Sequence, residues 1–224
     1  LGHKNQVIRT HHNIPDDRSL QNKYPSLTTV SQHDVDALVF VAMGPAATSP
    51  VLGWSIQSAV QTGEWDGDVY IITDRPESVK YSVDDDSSEA RYLLPENTHI
   101  VYHPFETSPF DGHTFKARLT KCQLLSILPD SLNHILYIDG DIMIGKPIAP
   151  FLHDVVRVWH ENDNSMSMGL FEDCKSFTAD FSSDCDTWNT GVMSLRRGKS
   201  DDCLNAWCEA LQREGGSDQS ALDS

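Results

Sequence analysis

The sequence predicts an α/β layered fold with a mostly parallel central sheet flanked by helices, and three observations carry that prediction. Continuous apolar runs of strand length recur along the chain, as in ALVFVAM at 37–43, DVYIIT at 68–73 and HILYI at 134–138. Segments whose apolar residues follow helical spacing fall between several of them. The runs lack the apolar/polar alternation of a half-exposed sheet, so both faces need cover, which helices on either side supply.

Residues 1–33 mix His, Asn, Asp, Ser, Gln and Pro15 without periodicity and read as a stalk-like lead-in. Order is expected over 34–224. The first strand ends in Gly44-Pro45. In SPVLGWSIQSAVQTG, residues Val51, Leu52, Ile56, Ala59 and Val60 share helical spacing, with Gly63 placed to cap the end. DVYIITD is a second strand, closing at Asp74-Arg75-Pro76. SVDDDSSEA, at 82–90, reads as a solvated acidic loop, and HIVYHPF as a third strand.

FKARLTKCQLLSILP predicts one helix with Phe115, Leu119, Cys122, Ile127 and Leu128 near a common stripe, stopped by Pro129. HILYID, MSMGLFED and WNTGVMSL supply the fourth to sixth strands. DDCLNAWCEALQREGG is a further helix.

The 33 acidic and 17 basic residues give a formal charge of −16. Nucleic acid is excluded as a partner on that balance, because its binding rests on basic groups displacing counterions. No stretch approaches the ~18 consecutive apolar residues of a membrane helix. The chain opens at Leu1 and closes on DQSALDS, so it reads as a fragment, truncated at its C-terminus, and any membrane attachment would come through an N-terminal anchor outside it. The five cysteines form no CxxC pair, which excludes a zinc ribbon. Cys174 and Cys185 bracket a polar loop and are candidates for a disulfide; Cys122, Cys203 and Cys208 lie in helical patterns and are expected as buried thiols.

The chemistry concentrates in HILYIDGDIMIGKP. A strand runs into Asp139 and Asp141, and apolar residues flank the pair on both sides. Carboxylates in such surroundings are costly, so either the site is wetter than it looks or a cation or a basic side chain belongs there. In a mostly parallel sheet, ligands gather at the carboxyl ends of the strands, where this pair falls. Residues i and i+2 of a strand point the same way, and Gly140 between them allows a tight turn or close approach. Hard carboxylate oxygens suit manganese or magnesium, whose shell is completed by water and substrate phosphates. Upstream, FKARLTK places Lys116, Arg118 and Lys121 on one helix, and Arg118 and Lys121 are the stronger candidates for phosphate contact.

LTK, then ILYIDGDIMIGKPI, then WNTGVMSL, then SDQSALD resembles, in order and spacing, the retaining glycosyltransferases of the glycogenin and lipopolysaccharide galactosyltransferase type, which have the GT-A fold of nucleotide-diphospho-sugar transferases. The resemblance spans about residues 37–223, including LVFVAMGPAATSPVLGWSIQSA. It implies hexose transfer from a nucleotide-sugar, most simply a UDP-sugar, to a glycan, protein or lipid hydroxyl with retention. It implies that Asp139 and Asp141 hold Mn2+ (or Mg2+) on the donor diphosphate, and that Gly140 sits between them at the donor. Lys121 matches a donor contact. Asn189 and Gly191 lie beside the sugar, Asp218 and Gln219 reach the reacting face, and Val41, Ala42 and Gly44 line the nucleoside pocket through backbone atoms.

Relatives supply a histidine as third ligand from beyond the point where this chain ends; His99, His103 and His113 precede the pair and are not assigned to it. A Golgi or other secretory-pathway lumen fits the stalk, with a cytoplasmic setting as the alternative. Two other classes compete. One is a non-catalytic nucleotide-sugar or carbohydrate-binding domain. The other is a haloacid-dehalogenase-type phosphatase, whose Asp-X-Asp sits on the first strand.

Overall fold

The computed structural model describes residues 34–79, 94–104, 112–162, 166–173 and 187–214. The lead-in at 1–33, the acidic loop at 82–90, the Cys174–Cys185 pairing and the residues Asp218 and Gln219 lie outside the described residues.

Six strands form one sheet in the order β3-β2-β1-β4-β6-β5. They are β1 (Ala37–Ala42), β2 (Asp68–Thr73), β3 (Thr98–Tyr102), β4 (His134–Ile138), β5 (Gly169–Asp173) and β6 (Thr187–Arg196). The first four are parallel, with Ala37 opposite both Asp68 and Ile135. Strand β6 runs antiparallel to β4 and to β5. The apolar runs therefore mark the parallel centre, while β3, at the edge, is only partly covered.

Alternation along β1 divides the core into two layers. Ala37, Val39, Val41 and Met43 pack towards α3 (His113–Cys122), α4 (Leu124–Ile127) and α6 (Asp201–Glu214). Leu38, Phe40 and Ala42 pack towards α1 (Pro50–Gln57) and α5 (Ala149–Glu161). A short helix, α2 (Pro76–Val79), follows β2 and buries Val79 in this second layer. Each fully buried aliphatic or aromatic side chain contributes about 1.5–3 kcal/mol, and β1, β2 and β4 each place side chains in both layers.

Local chemistry sets the helix ends. Ser49 caps α1 by accepting the Val51 N–H at 3.3 Å, with Pro50 in the first turn. The helix continues as a π turn over Ser58–Thr62 and reaches Gly63, whose φ of −73° is not that of a left-handed cap. Gly63 is small for a different reason: a Cβ there would overlap the Ala59 carbonyl and stand 3.0 Å from Ile144 Cγ2.

The expected single helix at 115–129 is two. Gln123, at φ −102° and ψ 4°, interrupts it, and its N–H donates to the Thr120 carbonyl at 3.1 Å. The helix α5 was not anticipated, although Leu152, Val155, Val156 and Trp159 follow helical spacing and are all buried.

One expectation for the cysteines is corrected. Cys122 and Cys208 are not thiols but a disulfide joining α3 to α6, with Cα atoms 5.4 Å apart across 86 residues of sequence. The two helices pack side by side over the same layer, which brings the sulfurs together. Cys203 is a free thiol, raised in pKa by burial, against which a hydrogen bond from Ser167 works.

Candidate functional site

The carboxyl ends of β1, β2 and β4 form one edge of the sheet, and the candidate residues gather there. Strand β4 ends at Ile138, so Asp139 and Asp141 do not share a strand face as expected. They belong to a turn closed by the Ile142 N–H donating to the Asp139 carbonyl at 3.0 Å. Asp139 is part-buried and Asp141 exposed, so the site is wetter than its apolar flanks suggested. Those flanks are explained by α1: Ile142 and Ile144 pack on the core while Met143 is exposed. Ser55 Oγ donates to the Ile142 carbonyl at 2.5 Å, and the Ile144 N–H donates to Ser58 Oγ at 2.8 Å.

Asp139 also has a positive partner, Lys121. It lies in the last turn of α3 with its side chain 8% exposed, and Nζ is 2.8 Å from Asp139 Oδ1. A buried ammonium is costly unless it is paired, and removing one member of such a pair typically costs about 3–5 kcal/mol. Nζ also stands 5.2 Å from the centroid of the Tyr137 ring, within cation–π range. The Tyr137 hydroxyl donates to the same Asp139 Oδ1. Tyr137 was missed in the sequence reading, yet a signal existed: the i, i+2 rule applied to 139 and 141 also joins 137 to 139, one step earlier, where the chain is still a strand. Arg118 lies one helical turn before Lys121 and is half-buried, as is Lys116.

Strand β6 closes the other side. The Asp139 N–H donates to the Gly191 carbonyl at 2.7 Å, continuing the ladder of Ile138 with Val192. A regular antiparallel pair would return a bond from Gly191 to Asp139. Instead, the Gly191 N–H donates to Asn189 Oδ1 at 2.6 Å, while the Asp139 carbonyl serves the turn. Asn189 thus terminates the ladder beside the aspartates. The register of β5 on β6 jumps from Leu170–Met193 to Phe171–Asn189 at the same point. A Cβ at Gly191 would stand 2.7 Å from Asn189 Oδ1 and 3.1 Å from Asp139 Oδ2, so the position needs glycine to admit the carboxylate. At Gly140 a Cβ would meet Leu52 Cδ1 at 3.1 Å, a milder restriction.

At the end of β1, Val41 and Ala42 are buried, and Gly44 adopts a left-handed φ of +56°. Its N–H donates to Asp74 Oδ1 at 2.7 Å, tying the ends of β1 and β2 together. The His113 ring occupies the space that a Cβ at Gly44 would fill. His99 pairs with Asp68 at 3.2 Å, and burial lowers the pKa of His103 against a hydrogen bond with the Gln123 side chain that favours the protonated ring. No group of three or more His, Cys, Asp or Glu suited to a metal occurs among the described residues. The residues present that could hold a cation are those of the Asp139–Asp141 turn. Its donor set fits a hard divalent ion, and the ammonium on Oδ1 shows that Asp139 is already oriented towards positive charge.

No family model matches the chain, and no curated protein matches its sequence. Solved structures match its architecture. The galactosyltransferase LgtC in complex with donor and acceptor sugar analogs has a TM-score of 0.50 and 13% identity, covering 83% of this chain and 68% of that one. An active-site mutant of LgtC gives 0.49 and 14%, with the same coverage. The glycosyltransferase GlyE of Streptococcus pneumoniae gives 0.49 and 13%, covering 84% of this chain and 42% of that one. The six-stranded sheet and its flanking helices are the GT-A architecture that the motif order implied.

Proposed function

We propose that the protein is a metal-dependent glycosyltransferase that moves a hexose or related sugar from a nucleoside-diphosphate donor, most simply a UDP-sugar, to an acceptor hydroxyl with retention. The observation that carries this reading is the buried Lys121 paired to Asp139 at the carboxyl edge, in one turn with Asp141. Together these groups suit a diphosphate and its counter-ion. The fold shared with LgtC, itself solved with donor and acceptor sugar analogs, is in keeping with it. The phosphatase alternative is disfavoured because the aspartates follow the fourth strand in chain order and not the first.

Asp139 and Asp141 would hold Mn2+ or Mg2+, which when bound supplies positive charge to a departing diphosphate. Lys121 adds a unit charge from the buried side of the site, and Arg118 offers a planar fork to phosphate oxygens. Gly44 and the ends of β1 present backbone to the nucleoside. Asn189 and Gly191 shape the wall beside Asp139, and Asp218 and Gln219 are assigned to the sugar and acceptor by the motif order alone. Positioning, with charge stabilisation, carries the rate in this scheme. No covalent nucleophile is invoked, and a front-side displacement is adopted from the resemblance. The Cys122–Cys208 disulfide supports an oxidising compartment, such as the lumen of the secretory pathway. No helix among the described residues is long and apolar enough to cross a membrane.

A donor screen on the full-length protein, with and without Mn2+, tests the reading by nucleotide release and by the product formed. Asp139→Asn and Asp141→Asn are expected to lower turnover by about a thousandfold, the scale of losing a charge-stabilising group, with circular dichroism unchanged. Full turnover in both variants would refute the site, and donor binding without transfer would favour a non-catalytic binding domain.

A further inference from the structure

Asp139 Oδ1 accepts from Tyr137 and faces the Lys121 ammonium at 2.8 Å, so one oxygen serves two donors of the chain before any ligand arrives. Oδ2 lies on the Gly191 side, where the missing side chain leaves room. A divalent ion on this carboxylate must come within a few ångströms of Nζ. At that separation two positive charges repel strongly, because the partly buried site screens them less than water does. Lys121 is tethered by a buried stem in the last turn of α3, with its ammonium 5.2 Å from the Tyr137 ring centroid. It cannot diffuse away as a solution ion would.

We propose that Lys121 is a tethered counter-ion that competes with the divalent cation for Asp139, and that it surrenders the carboxylate only when a diphosphate arrives to receive the ammonium. Cation and diphosphate then enter together, and neither is held firmly alone. Tyr137 keeps Asp139 oriented while Lys121 changes partner, because its hydroxyl remains on Oδ1. The coupling is reciprocal, since a residue that makes the cation depend on the diphosphate makes the diphosphate depend equally on the cation. The inference rests on the metal-dependent reading above and adds the residue that links the two ligands.

The test is isothermal titration calorimetry on the full-length protein, with Mn2+ alone, uridine diphosphate alone, and Mn2+ in the presence of uridine diphosphate. Wild type is compared with Lys121→Met and Lys121→Gln; the second keeps a hydrogen-bond donor near Asp139 in case the first does not fold. Both variants are expected to bind Mn2+ alone at least about tenfold more tightly than wild type. The factor by which uridine diphosphate tightens Mn2+ should shrink correspondingly. Unchanged or weaker Mn2+-alone binding in the folded variants, with wild type still tightened by uridine diphosphate, would overturn the competition and leave the transferase reading standing. No Mn2+ uptake by any form under either condition would overturn both.

Discussion

His134 shows how one residue can set an acid limit without touching the candidate site. Its Nδ1 faces the Asp34 carbonyl at 2.9 Å, which can only accept, so Nδ1 carries the proton. Nε2 then accepts from the Ser194 hydroxyl at 2.7 Å, and Ser194 Oγ in turn accepts the Trp159 indole N–H at 2.7 Å. Every polar atom in this chain is served while the imidazole is neutral. Burial pushes the His134 pKa down to about 4, helped by the Arg196 guanidinium and His160, and opposed by the Asp34 carbonyl and Asp36. The unfolded chain binds that proton near pH 6.5 and the folded one does not, so stability is present above 6.5 and drains as pH falls towards 4. The full difference amounts to about 3 kcal/mol. Urea unfolding at pH 7, 5.5 and 4.5 should show this loss. His134→Asn, although less stable at pH 7, should have a flatter profile across that window. An unchanged slope would mean that other groups set the acid limit. At this same scale the sequence was legible in part. That Asp139 had to be either solvated or met by positive charge followed from its apolar strand, and Lys121 was already a candidate for phosphate contact. That the two are bonded to each other could not be read, because the pairing depends on how α3 lies across β4.

At the scale of elements, length and periodicity were informative wherever packing agreed with local preference. The four parallel strands and the helices α1, α3 and α6 lie where apolar spacing placed them. The break at Gln123 and the π turn at 58–62 have no comparable local signature. The disulfide was misread for a related reason. Helical spacing marks Cys122 and Cys208 as inward-facing, which suits a thiol as well as a cystine, and only the adjacency of α3 and α6 decides between them. Closing 86 residues of sequence removes unfolded-state entropy worth about 4–5 kcal/mol on the chain-entropy account. The Cys122→Ala/Cys208→Ala double variant is therefore expected to unfold at markedly lower denaturant, and reductant should move wild type towards it. Coincident unfolding curves with and without reductant would show that the bridge contributes little. Because Cys122 directly follows Lys121, the same bridge also fixes the turn from which the ammonium reaches Asp139.

For the molecule as a whole, charge sets how the proposed donor arrives. The sequence carries a net charge of −16, and the donor's diphosphate is itself anionic. The basic side chains of α3 are a local exception, and Asp74, Asp139 and Asp141 share their edge of the sheet. At distances beyond a few ångströms an approaching donor therefore meets a repulsive field, and screening should help it. Between about 20 mM and about 200 mM salt the Debye length falls from roughly 20 Å to roughly 7 Å. That shorter range removes the distant carboxylates from the donor's path while leaving the buried Lys121–Asp139 pair almost untouched. The association rate of a fluorescent uridine diphosphate analogue, followed by stopped flow at fixed saturating Mn2+, is expected to rise over this range, with the dissociation rate changing much less. The sign is opposite to that for a protein whose anionic ligand is steered by a basic surface. A rate that falls with salt would mean that Lys116, Arg118 and Lys121 govern the approach despite the overall charge, and that the acidic surplus lies where the donor never passes.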